Sequence, residues 1–291
     1  MFDGFTQTRV DTSEATINLV RGGSGPPVLL LHGYPQTHAM WHEVAPRLAQ
    51  RFTVVATDLR GYGDSSKPDG RADHSGYSKR AMARDQVEVM QALGFEAFGL
   101  VGHDRGARVA HRLVVDFPAH VTKLALLDIV PTYEVFRATD KEIATSTYHW
   151  FFLIQPDELP ERLIGASPDY FLRECLRRWS AGVDSFFDPA AVAEYERCFR
   201  DPATIHATCE DYRAGASIDL VHDEADLGRR SDCPLLVLWG ARGKLNTIFD
   251  VPAVWGERFS SVQGRPLPCG HFLAEELPNE TTAELLAFLA D

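Results

Sequence analysis

Short, uninterrupted apolar runs recur through the first 130 residues, each set off by a turn and several by a helical pattern. They are Thr16–Val20, Val28–His32, Thr53–Asp58, Phe98–Gly102 and Lys123–Asp128. Stretches such as VLLL and LALL lack the apolar/polar alternation of a strand with one wet face. They suit strands covered on both faces, as in a parallel sheet. Between two of them a helix opens at Ser78, with Met82, Val89, Met90 and Leu93 at i, i+7, i+8 and i+11, one apolar stripe. Repeated strand, helix, strand predicts a doubly wound α/β core, a mostly parallel sheet flanked by helices.

The alternation stops after Pro131. From Thr132 to Asp226 no strand pattern is present, and aromatic, helix-like segments (YHWFFLI, PDYFLRECLRRW, AAVAEYERCF) are punctuated by Pro156, Pro160, Pro168, Pro189 and Pro202. The β pattern resumes at Pro234–Trp239, and a helix carrying Leu285, Leu286 and Leu289 follows Pro278. The expected organisation is a core of residues 1–131 and 227–291 interrupted by a helical cap, 132–226, of about 95 residues.

At 45% hydrophobic and 24% charged residues the chain is ordinary globular material, not a disordered one. It has 41 Asp plus Glu against 29 Lys plus Arg, a net charge of −12. That balance argues against nucleic acid and against anionic membranes, whose large surfaces feel the average charge. It says little about a small anion that meets a single pocket. No apolar run reaches the roughly 20 residues of a spanning helix. Met1–Asp11 lacks the basic-then-apolar pattern of a secretory signal. Five scattered cysteines form neither a disulfide framework nor a thiolate metal site. A cytoplasmic protein without metal or cofactor is expected.

The chemistry concentrates in Leu100–Arg108, LVGHDRGAR. An apolar strand runs into Gly102-His103-Asp104-Arg105-Gly106 and then a helix, the setting of a nucleophile elbow with aspartate where serine is usual. The glycines permit a sharp turn, and the helix N-terminus favours negative charge on the middle side chain. A carboxylate there is already an anion at neutral pH, so Asp104 is the candidate nucleophile, its alternative being a plain helix cap. Leu31-His32-Gly33-Tyr34-Pro35 follows the second apolar run, and its turn can aim the Tyr34 N–H at the elbow. With the N–H of Arg105 it would form an oxyanion hole. Cys269-Gly270-His271-Phe272 comes last in the chain, the right order for a base, His271. The stretch Trp239–Lys244 offers no carboxylate to orient that base. Asp128, at the end of the Lys123–Asp128 run, can do so instead, with Asp250 as a rival.

Taken together, HGYP, DLRGYGDSSKP (Asp58–Pro68), GHDRGAR, LLDIVPTY (Leu126–Tyr133), YHWFF, DYRAG (Asp211–Gly215) and CGHF resemble the α/β-hydrolase superfamily. The resemblance is to its aspartate-nucleophile branch of epoxide hydrolases and dehalogenases, and within it to the fluoroacetate dehalogenases. HDRGAR followed by YHW is the specific part. The resemblance implies a hydrolase of carbon–halogen bonds that uses Asp104, His271 and Asp128, and commonly a homodimer.

Arg105 and Arg108, three apart in the first turn of the elbow helix, carry cations where the macrodipole disfavours them. Two planar forks beside Asp104 suit a substrate carboxylate, a role the resemblance also assigns them. Pairing with acids of the insertion is the structural alternative. The expected substrate is therefore a small anionic haloacid. The resemblance gives the halide pocket to His149, Trp150 and Tyr212, whose donors are set on largely apolar bodies. Haloalkane dehalogenases and most epoxide hydrolases usually carry Trp where Arg105 stands. Tyr148 with Tyr212 could imitate the acid pair of an epoxide hydrolase, the second function considered. A ligand-binding homologue without turnover is the third.

Overall fold

In the computed structural model, which describes residues 1–290, the apolar runs form the middle of one eight-stranded sheet. The strands are β1 (Thr6–Asp11), β2 (Thr16–Gly22), β3 (Pro27–Leu31), β4 (Thr53–Thr57), β5 (Phe98–His103), β6 (Val121–Leu127), β7 (Leu235–Gly240) and β8 (Val262–Leu267). Their spatial order is β1-β2-β4-β3-β5-β6-β7-β8. The β1–β2 and β2–β4 pairings are antiparallel and all others parallel. Every residue of β4, β5 and β7 is buried, which accounts for the continuous apolar runs.

Two strands have no counterpart in the sequence pattern. β1 (TQTRVD) and β8 (VQGRPL) are the sheet edges, and most of their residues are exposed. With few side chains to bury, such edges need no apolar run, only backbone pairing on one side.

Ser78 caps the helix Lys79–Ala92 by accepting the Ala81 N–H, and Met82, Val89 and Met90 are buried along it. The DLRGYGDSSKP segment is structural. Asp58 is fully buried, accepts N–H bonds from His38 (2.8 Å) and Asp64 (3.0 Å), and faces the His38 ring at 2.8 Å. Arg60 is held bidentately by Asp85.

Between Thr132 and Ala225 there are eight helices and no strand. Pro160, Pro168, Pro189 and Pro202 sit in the first turn of four of them, where a missing N–H breaks no bond. Asp188 and Asp201 complete two of these starts by accepting N–H bonds from Ala190 and Ala203. Among the described residues no helix is long and apolar enough to cross a membrane. The loops that leave the C-terminal ends of β3, β5 and β6 meet this helical segment, which is where a parallel sheet places its ligand crevice.

Candidate active site

β5 ends at His103, and Asp104 opens the helix Asp104–Asp116 with φ +44°. The left-handed turn thus falls on the aspartate itself, a residue type that tolerates it better than most. The elbow glycines serve a different need from a permissive φ. A Cβ on Gly102 would lie 2.6 Å from Ala107 Cα, and one on Gly106 would lie 2.7 Å from Leu31 Cβ. The helix therefore folds back against β5 and β3 only because both side chains are missing. Asp104 caps nothing: no side-chain bond closes this helix start. Its Oδ2 accepts the Tyr34 N–H at 3.1 Å instead, which brings the HGYP turn to the elbow. Arg105 lies in the first helical turn, whose amides have no partner within the helix.

Asp128 follows β6 with φ +54°. Its Oδ1 accepts the Gly240 N–H at 2.8 Å, and its Oδ2 lies 2.5 Å from His271 Nδ1. The end of β7 thus contributes an amide to hold the acid rather than the acid itself. Asp250 accepts the Ala253 N–H at 3.1 Å as a helix cap, so the rival for orienting His271 falls away.

Asp104, Asp128 and His271 line one cavity of about 460 Å³ with Arg108, His149 and Trp150. Burial opposes ionisation of Asp104, yet the charges of His271 and Arg108, then His103 and Arg105, bring its pKa to about 2. Burial would lower His271, but the hydrogen bond and charge of Asp128, then the charge of Asp104, raise it above its ordinary value. The site holds a permanent carboxylate beside a basic imidazole.

The two arginines part company. Arg108 stays on the cavity wall, its NH1 donating to Val130 O at 3.0 Å and to Thr132 Oγ1 at 2.9 Å. Its guanidinium lies 4.5 Å over the Trp150 ring, and its buried Nε has no partner. Burial, then the charge of Arg105, lowers its pKa to about 10, so it remains a cation. Arg105 is tied to Asp211 through two of its three nitrogens. Its Nε and NH2 donate to the Asp211 carboxylate at 3.0 and 2.8 Å, and NH2 also donates to the Asp211 carbonyl at 2.9 Å. The reason is Asp211, fully buried in the helix Pro202–Gly215. A buried carboxylate needs cations and donors, and this one draws in Arg105, Lys79 and the Tyr62 hydroxyl. NH1 of Arg105 stays uncommitted.

Of the expected halide residues, His149 and Trp150 line the cavity. His149 is kept neutral by burial, its pKa about 3, and its Nδ1 lacks a partner. Tyr212 packs beside them, its ring 5.7 Å from that of His149 and 6.2 Å from that of Trp150, with the Arg105 guanidinium 4.1 Å from its centre. Its buried hydroxyl is also without a partner. Tyr148 also lines the cavity.

Two contributors went unread in the sequence. Asp211 sits within the DYRAG motif, directly before Tyr212, and a carboxylate in a motif shared with a pocket residue was the available signal. Trp179 gives its carbonyl to the His271 N–H at 2.9 Å and packs its ring 4.4 Å from that of His149. No sequence spacing announces that contact.

The alpha/beta hydrolase fold family matches residues 26–278. A fluoroacetate dehalogenase from Burkholderia sp. is 50% identical over 291 residues, 100% of this chain and 96% of that protein. A soluble epoxide hydrolase from Corynebacterium sp. (strain C12) is 33% identical across 97% of this chain and 98% of its own length. The crystal structure of an alpha/beta hydrolase from Nostoc sp. PCC 7120 superposes with a TM-score of 0.98 at 63% identity, covering 99% of both chains.

Proposed function

Because the chain belongs to the alpha/beta hydrolase family, we propose that it hydrolyses the carbon–halogen bond of haloacetates, converting fluoroacetate and water to glycolate, fluoride and a proton. The full-length likeness to a fluoroacetate dehalogenase supports this reading. In this reading the eight helices between Thr132 and Ala225 belong to a helical cap, residues 132–226, on a core of residues 1–131 and 227–291.

In the first step Asp104 attacks the carbon bearing the halogen. A C–O bond forms, the C–halogen bond breaks, and the halide leaves with the bonding pair. Arg108, joined by NH1 of Arg105, holds the substrate carboxylate and offsets its repulsion from Asp104. Fixing the carbon in line removes much of the orientational cost of the reaction. His149, Trp150 and Tyr212 supply donors to the departing halide. In the second step water gives a proton to His271, held by Asp128, and its oxygen adds to the ester carbonyl of Asp104. The amides of Tyr34 and Arg105 stabilise the oxyanion. Collapse expels the glycolate oxygen, which takes the proton from His271, and Asp104 returns to the carboxylate as one proton passes to solvent. No cofactor enters.

The observation behind this reading is Arg108, a buried cation on the wall that also bears Asp104. A neutral epoxide gains nothing from it. The test is halide and diol release over fluoroacetate, chloroacetate and a panel of epoxides. Halide from the haloacetates with no diol is expected; diol alone would overturn the reading in favour of epoxide hydrolysis. Tight binding of haloacids without halide release would mark a non-catalytic homologue. Arg108→Ala should raise KM for haloacetates about 10–100-fold, the loss of charge-assisted bonds to a carboxylate. Initial rates against substrate concentration check it, and an unchanged KM contradicts the role. The resemblance also leads us to propose a cytoplasmic homodimer.

A further inference from the structure

Glu276 closes the short helix Leu273–Glu276 and lies off the wall of the catalytic cavity. Its carboxylate reaches back to the loop that carries the base. Oε2 accepts the Gly270 N–H at 2.7 Å, and Oε1 accepts the Phe272 N–H at 3.0 Å. These are the two residues that flank His271. The His271 N–H is itself taken by the Trp179 carbonyl at 2.9 Å, and the His271 carbonyl faces His103 Nε2 at 2.8 Å. Three consecutive amides and the central carbonyl are therefore all fixed, two of them by one side chain. Asp128 supplies the hydrogen bond that orients the ring, and it can do so only if the backbone beneath the ring does not drift.

We propose that Glu276 is a positioning residue for the second half-reaction, holding the Gly270–Phe272 backbone so that His271 directs water at the ester carbonyl of Asp104. The proposal rests on the two-step reading given above. Glu276 touches neither substrate nor the reacting atoms. Its effect is confined to the step that uses His271, because alkylation of Asp104 requires no base. A general base must lie within hydrogen-bond reach of the proton it takes, so a small drift of the loop slows that step.

Glu276→Gln tests this with little change of shape. The amide oxygen can keep one N–H, while the NH2 group faces the other donor to donor. Rapid-quench kinetics with chloroacetate on the full-length wild type and variant resolve halide release from ester decay, the latter by intact mass. In the variant, halide formation in the first turnover should stay within about twofold of wild type. Ester hydrolysis should slow about 10-fold, the loss of one charge-assisted bond, and esterified protein should accumulate. Glu276→Ala should move the same ratio further in the same direction. The ratio of the two rate constants does not depend on what fraction of the preparation is folded, so a merely structural role would leave it unchanged. An unchanged ratio, or equal slowing of both steps, overturns the proposal. Wild-type protein that releases no halide overturns the haloacetate reading, and the proposal with it; normal wild-type turnover with an unaltered variant overturns the proposal alone.

Discussion

An Asp104→Asn variant is expected to lose haloacetate turnover by ~10⁴-fold or more, the scale on which removal of a nucleophile acts. The site has a carboxylate whose pKa is brought to about 2, so at neutral pH essentially every molecule presents an anion to the substrate. The amide is isosteric, and its oxygen can still accept the Tyr34 N–H that meets Asp104 Oδ2 at 3.1 Å. The elbow should therefore keep its shape while its nucleophile becomes neutral and weak. The side-chain amide fills the space of the carboxylate, so no water takes the place of the attacking oxygen. A fluoride electrode or chloride assay reads the loss, and a melting temperature close to wild type separates it from misfolding. Turnover within 10-fold of wild type would mean that Asp104 is not the attacking group.

The second large effect is selective. His271→Asn should still release one halide per site and then stop, because displacement of halide consumes only the carboxylate. What fails is deprotonation of water, a contribution of about 10²–10⁴-fold. The chain should then gain the mass of a carboxymethyl group, held as an ester on Asp104. The 2.5 Å contact between His271 Nδ1 and Asp128 Oδ2 is the reason for this assignment. It commits one nitrogen to the acid and leaves Nε2 for water, and the carboxylate stabilises the imidazolium that forms. Normal turnover by this variant, or a first turnover slowed as much as the steady state, would contradict the role of the base.

The legible parts of this molecule are those in which one local segment contains the whole cause. The elbow is such a case: strand, two small residues, an acid and a helix start are contiguous in LVGHDRGAR, and the structure puts Asp104 at that turn. The glycines act differently from a permissive turn: they allow helix and sheet to approach, while Asp104 takes the left-handed φ. The central strands were legible because double burial writes a continuous apolar run. The edge strands β1 and β8 were not, because an edge satisfies its backbone with little burial. Spacing placed Arg105 and Arg108 on one face of the helix, and that much follows from helix geometry. Their partners do not follow. Asp211 lies 106 residues from Arg105 in sequence, and only the packing of the helical segment decides that it ties Nε and NH2 of Arg105 while Arg108 turns to Val130 and Thr132. The hold of Glu276 on the base loop was invisible for a related reason, since its partners are backbone amides that carry no side-chain signature.

A single turnover in ¹⁸O-labelled water, with enzyme in excess over fluoroacetate, distinguishes a covalent ester on Asp104 from direct displacement by water. Water attacks the carbonyl carbon of Asp104, so the label should enter the Asp104 carboxylate, seen in the peptide bearing residues 100–108, while the first glycolate carries none. Label in the first glycolate and none in Asp104 would mean that water displaces the halide directly, and would contradict the account.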